Sequence, residues 1–126
     1  MRALRSLVLA LAMLSTTTVA LAQETAPAVS LAQLGELYVK SGHIIPDGYL
    51  DQRVTVSAVV AEAAQRVGNE ILVTLTDATD QVKGHATIDR MSAAKARSLH
   101  QGQAFSAVCT VEFSSNGPIA LGDCDL

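Results

Sequence analysis

Residues Gln103–Leu126 read QAFSAVCTVEFSSNGPIALGDCDL, and this stretch decides the fold. Phe105, Ala107, Cys109, Val111 and Phe113 alternate with Ser106, Thr110 and Glu112, Val108 being the exception. Period-two alternation marks a half-buried strand. Ser114-Ser115-Asn116-Gly117-Pro118 is a turn cluster, and Ile119–Leu126 returns as a second strand. A tight turn centred on Asn116-Gly117 would set Cys109 directly opposite Cys124. Pro118 has no N–H to close a two-residue turn, so a wider loop of the same parity is expected. Either loop leaves both sulfurs on one face. A Cys-x-x-Cys redox spacing is absent and no histidine lies near either cysteine in sequence. A structural disulfide between Cys109 and Cys124 is the expectation.

That expectation depends on the compartment, and the N-terminus speaks to it. Arg2 and Arg5 precede the apolar run Leu7–Leu14, and Ala20-Leu21-Ala22 is a small-residue cleavage site. This pattern predicts a signal peptide over residues 1–22, too short and interrupted to span a membrane, with cleavage after Ala22. The protein is then periplasmic or secreted. Seven Lys+Arg and twelve Asp+Glu remain after residue 22, a formal charge of 7 − 12 = −5. The length suits one small domain with a limited core, in which a disulfide matters.

Residues 23–29 read as a flexible lead and 30–126 as the domain. Ser30 and Gln33 form a capping pair, and Leu31, Leu34, Leu37 and Tyr38 fall on one face, predicting a helix that stops near Gly42 and plugs one end of a barrel. Pro46-Asp47-Gly48 predicts a turn. Val54, Val56, Ala58 and Val60 form the inward set of a first strand, with a bend near 57–60 and a turn over 65–69. Ile71, Val73 and Leu75 do the same for a second strand. Val82, Gly84, Ala86 and Ile88 do so for a third. Asp89 is a candidate cap for a short helix with Met91, Ala94, Ser98 and Leu99 inside and Gly102 at its end. The class is mainly β: a five-stranded Greek-key barrel with an N-terminal helix and a short helix between the third and fourth strands, the order of the OB fold.

The segments Tyr49-Leu50-Asp51-Gln52-Arg53-Val54-Thr55-Val56, Gly102-Gln103 and Leu121-Gly122-Asp123-Cys124-Asp125-Leu126 carry a resemblance. The first resembles the Tyr-x-Gly-Lys-x-Val-x-Val strand opening of the small exported OB-fold proteins called the tRNA_anti-like family. The last resembles that family's Leu-x-x-Cys-x-Leu ending. Asp51-Gln52 stands where the family often has Gly-Lys. The bacterial OB-fold stress protein family is similar in fold and typically lacks the paired cysteines; it would imply a periplasmic stress-response role. The resemblance implies an OB barrel, and nucleic-acid binding only by analogy of fold.

The residues argue for a non-enzymatic binding or accessory module. OB barrels hold single strands with aromatic platforms and a basic groove on their second and third strands. Here the outward residues are Leu72, Thr74, Thr76, Lys83, His85 and Thr87, with no aromatic among them, in an acidic chain that repels phosphate backbones. Single-stranded nucleic acid is therefore the alternative reading and is disfavoured. No catalytic constellation is expected: His43, His85 and His100 are isolated, and Asp77 and Asp80 read as turn residues. Asp123 and Asp125 flank Cys124 on one outward face and could hold a cation only with a third ligand. No cofactor and no metal are expected. The candidate ligand-binding face is Arg53, Thr55, Thr74, Lys83 and His85, and its partner a protein, peptide or glycan.

Overall fold

The structure is a computed structural model that describes residues 26–45 and 48–126. The signal-peptide segment, the first residues of the predicted lead and the Pro46-Asp47 part of the predicted turn lie outside the described residues. Six strands and two helices follow in the order β1 (Ala28–Ser30), α1 (Leu31–Lys40), β2 (Arg53–Val67), β3 (Glu70–Thr76), β4 (Lys83–Ile88), α2 (Ala93–Arg97), β5 (Ala104–Val111) and β6 (Ile119–Asp125), with a 3-10 turn at Arg90–Ser92 leading into α2.

β2 closes the barrel because it is long enough to serve two partners. Its first half pairs antiparallel with β5, from Arg53↔Thr110 to Val59↔Ala104. Its second half pairs with β3, from Val59↔Thr76 to Val67↔Glu70. β3 pairs with β4, β4 runs parallel to β6, and β6 pairs with β5, which completes a five-stranded Greek-key barrel. The expected bend is present but sits later, as two register shifts between Val60 and Gln65. Small residues at Ala61, Ala63 and Ala64 let the strand coil there. The strand continues to Val67, past the expected turn start, and Gly68 makes the turn at φ +64°.

Ala28 and Val29, assigned to the flexible lead from sequence, instead form β1 with Ser30. This strand lies parallel to Thr55–Ser57 of β2 and buries Val29. The free edge of β2 beyond β3 supplies the hydrogen bonds that outweigh the local absence of a strand signal, as Thr55 N–H donates to Pro27 O at 2.8 Å. The chain then enters α1 through the predicted capping box: Ser30 Oγ accepts from Gln33 N–H, and Gln33 Oε1 accepts from Ser30 N–H.

α1 buries Leu31, Leu34, Gly35 and Tyr38, while Leu37 is half-buried. Gly35 is there because of contact distance: a Cβ on it would stand 2.6 and 2.7 Å from the Val82 methyl carbons. Leu31 packs over Gly84 of β4 in the same manner. α1 thus covers the end where β4 and β6 begin, and α2 covers the end where β4 finishes and β3 starts. The core between them includes Val56, Val60, Val73, Leu75, Ala86, Phe105, Val111, Ile119 and Leu121.

Three sequence expectations are corrected. Phe113 is 64% exposed, because β5 ends at Val111 and the inward alternation stops with it. Met91 is 88% exposed, and Ala94 and Ser98 are exposed too; a 3-10 turn before α2 shifts the helical phase, so Ser92, Ala96 and Leu99 face inward. Asp89 precedes that turn but makes no side-chain capping bond.

Candidate functional site

The disulfide end of the barrel is built first by register. Val108↔Asp125 keeps Cys109 and Cys124 opposite each other, while Thr110↔Gly122 and Val111↔Leu121 are offset by one residue. The extra residue is Asp123, at φ +47°, a bulge in β6. Cys109 and Cys124 are fully buried and bridged, with Cα atoms 4.1 Å apart. Arg53 clamps this corner. Its Nη1 donates to Asp123 O at 2.9 Å and Thr110 Oγ1 at 3.1 Å, and its Nη2 to Val108 O at 3.2 Å.

The candidate face splits into two regions. Arg53 is committed to the clamp, and Thr55 donates its hydroxyl to Ala26 O beneath β1. Both line an open concavity with Pro27, Asp51, Gln52 and Val108. Thr74 and His85 are neighbours on β3 and β4. Lys83 stands at the end of β4, paired with Asp80 at 2.8 Å. Across the outer face, Glu62, Thr74, His85 and Ala120 are successive register partners, and Glu112 N–H donates to Ala120 O. This row ends in a carboxylate at each side and holds no aromatic ring. Burial, then the neighbouring charges of Asp123, Glu70 and Asp51, push the Glu112 carboxyl above its usual range.

Asp77 and Asp80 are turn residues as expected. Partial burial would raise Asp77, but amide bonds from Val82 and Gln81 and the Thr79 hydroxyl outweigh it and hold the carboxyl below its usual range. Asp80 is lowered by Lys83 and by the Thr76 hydroxyl. Asp123 and Asp125 have separate tasks. Asp125 Oδ1 accepts from the buried Ser92 Oγ at 3.1 Å, and Ser92 Oγ accepts from Leu126 N–H, which ties the C-terminal strand to α2's lead-in turn. No group of three or more acidic, His or Cys side chains able to hold a metal occurs among the described residues.

A cleft that sequence reasoning did not assemble lies at the α1 end. It has a volume of about 350 Å³ and is lined by Tyr38, Val39, His43, Val82 and Pro118, among others. Tyr38 organises it. Its hydroxyl donates to Gly117 O at 3.0 Å and accepts from Gly117 N–H at 2.9 Å. The ring meets His43 edge-on, with centroids 5.7 Å apart. His43 O accepts from Asn116 N–H, and Ile44 bridges Ser115, so the helix exit and the β5–β6 loop are stitched together as one wall. Val39, at 61% exposure, and the exposed Ile44 stand on that same helix exit. The signal available in sequence was Tyr38 itself, a hydroxyl on an otherwise apolar helix face that needs a partner when buried.

The tRNA_anti-like family model matches residues 5–125. Comparison with curated proteins gives no match. Among solved structures, one described as an aspartyl-tRNA synthetase from Leishmania major Friedlin superposes with a TM-score of 0.53 at 13% identity. The match covers 86% of this chain but only 21% of that one, so the likeness is of one barrel within a much longer protein. No described helix is long and apolar enough to cross a membrane. With the family matched over nearly its full length and the closed Greek-key barrel in view, the chain belongs to the tRNA_anti-like family and its fold is that of the oligonucleotide-binding (OB) barrels.

Proposed function

We propose that this chain is a non-enzymatic binding or accessory module acting in the periplasm or outside the cell, and that it engages a peptide or protein partner at the α1 end. The carrying observation is the Tyr38 cleft: a preformed, mainly apolar concavity with a few fixed polar groups, bordered by the exposed Val39. Small-ligand and peptide sites have this composition. The disulfide and the signal-like N-terminus support export. Nucleic acid remains the less favoured reading, since the outer row from Glu62 to Glu112 offers carboxylates where a strand needs cations and rings.

The test is site-specific photo-crosslinking in cells. A benzophenone side chain placed at Val39 should capture one reproducible partner from the exported protein, and the same group at Ala94, exposed on α2 at the opposite end, should not. The capture should be lost on adding Val39→Asp to a neighbouring crosslinker at Lys40. Equal capture from both ends, or turnover of a substrate by the purified protein that disappears with His43 or His85 substituted, refutes the proposal.

A further inference from the structure

The opposite end of the barrel carries an unexplained concentration of positive charge. A cleft of about 160 Å³ is lined by Arg66, Arg90 and Arg97 with Asn69, Ile71, Ile88 and Ala93. Three of the seven cations that follow residue 22 meet here, in a segment whose formal charge is −5. No carboxylate lines the cleft. The only salt bridge among the described residues is Lys83 with Asp80, on β4 and its preceding turn.

Arg66 is the telling member. It stands opposite Ile71, and Ile71 stands opposite the buried Ile88, so the three share one register row across β2, β3 and β4. Ile88 faces the core, which makes the Arg66 position an inward one at the barrel mouth. The next residue, Val67, points outward and is 55% exposed. A chain selected only for stability would place these two side chains the other way round. The Arg66 Nε donates to Gly68 O at 3.2 Å, which holds the guanidinium against the β2–β3 turn, and among the described residues its terminal nitrogens make no hydrogen bond. All three side chains are exposed, so water screens their mutual repulsion, and an anion between them would gain from each.

We infer that this cleft binds a phosphate group, either the free anion or one carried by a small ligand. Guanidinium forks match the oxygens of a phosphate in pairs, and three of them with the Asn69 amide surround one phosphoryl group. The volume, equivalent to roughly five waters, suits a phosphate head and not a nucleotide strand. No aromatic residue lines the cleft to stack a base.

The experiment is an amide NMR titration of the oxidised protein with inorganic phosphate and with glycerol 2-phosphate, sodium chloride holding ionic strength constant. Both probes should give saturable shifts centred on Gly68, Asn69, Arg90, Ala93 and Arg97. Tighter binding of the ester identifies an esterified ligand, and tighter binding of inorganic phosphate identifies the free anion; each supports the site. Arg97→Gln and Arg90→Gln change exposed side chains and should keep the fold, and each should weaken binding roughly tenfold or more. Arg66→Gln should do the same, read alongside them. Shifts that fail to saturate, that scatter over the surface, or that survive Arg97→Gln and Arg90→Gln unchanged overturn the inference. So does a thymidine oligonucleotide that moves the same amides at lower concentration than either probe, which would make the cleft a strand site.

Discussion

Gly35→Ala sets two magnitudes against each other. In an exposed helix interior the change gains about 1 kcal/mol, because alanine loses less backbone freedom than glycine. In α1 the added Cβ would lie 2.6 Å from one Val82 methyl, 2.7 Å from the other and 3.2 Å from the Val82 Cβ. Valine is stiff about χ1 and cannot swing both methyls away. Its backbone is held as well, since Val82 N–H donates to Asp77 Oδ1 at 3.1 Å and Val82 O accepts from Asp77 N–H at 3.1 Å. Overpacking of this kind costs about 1–3 kcal/mol, and the immobility of Val82 puts this case in the upper half of that range. The expected net loss for Gly35→Ala is therefore about 1–2 kcal/mol, a fall in Tm of roughly 6–12 °C for a domain of this size. Val82→Ala alone removes two half-buried methyl groups and costs about 1 kcal/mol. The double variant has no clash and keeps the helix gain, so its stability should return close to that of the parent. The cycle then shows a coupling of about 2–3 kcal/mol, measured by urea unfolding of all four proteins. A Gly35→Ala protein as stable as the parent, or a coupling below about 0.5 kcal/mol, would mean that α1 does not rest on Val82 as described.

The disulfide gives a second prediction. Cys109 and Cys124 are 15 residues apart, so the oxidised protein should exceed the Cys109→Ser variant by about 3 kcal/mol, whereas His85→Ala, a half-exposed change, should move Tm by only a few degrees; equal effects would contradict the closing role of this hairpin. The third concerns Glu112, whose raised carboxyl pKa means that the folded state holds the proton more tightly than the unfolded chain. Its contribution is present below the usual glutamate pKa and is lost as pH rises through the folded value, so Glu112→Gln should raise Tm at pH 7 by up to about 3 °C and have no effect at pH 3; a lowered Tm at pH 7 would refute the sign.

Where local chemistry acts alone, the sequence was easily read. Ser30 and Gln33 needed only each other to form a capping box, whereas Cys109 and Cys124, expected from strand parity, meet through the bulge at Asp123, without which Cys109 would stand opposite position 123. The inward sets of β3 and β4 followed from alternation, except that Thr76, expected outward, is buried at the end of β3 and donates its hydroxyl to Asp80. The failures share a different cause. Ala28–Ser30 becomes a strand only because β2 presents a free edge, and its partners stand 27 residues further along the chain (Ala28↔Thr55, 55 − 28). Met91 and Phe113 were misplaced because a 3-10 turn and a strand end interrupt the period on which the reading relied. The Tyr38 cleft draws on three separate segments and the arginine cleft on two, brought together by strand pairing that no local window of sequence shows. Of the candidate face, only Thr74 and His85 are partners across strands, because β2 turns its Arg53 half toward β5 and its Glu62 half toward β3.

The distribution of charge gives these separate observations a common sense. An OB barrel has its usual opportunity for binding on the outer face of its central strands. In this chain that face is flanked by Glu62 and Glu112, and burial, then the neighbouring charges of Asp123, Glu70 and Asp51, push the Glu112 carboxyl above its usual range. An incoming phosphate backbone would add to the negative charge already there. The features able to supply binding energy lie instead at the two ends: a tyrosine-organised apolar cleft beside α1 and an arginine-lined one beside α2. Each end is sealed by its own helix, and β4 alone runs from one to the other, from Val82 and Lys83 to Ile88. The stapled hairpin holds β6 alongside β4 throughout that span, through Gly84↔Ile119 and Ile88↔Cys124. The β4–β6 pair, with one irregularity between Ala86 and Ile88, therefore spans the distance between the two clefts, and a partner of the kind proposed at α1 would meet a ligand of the kind proposed at α2 only by reaching along it.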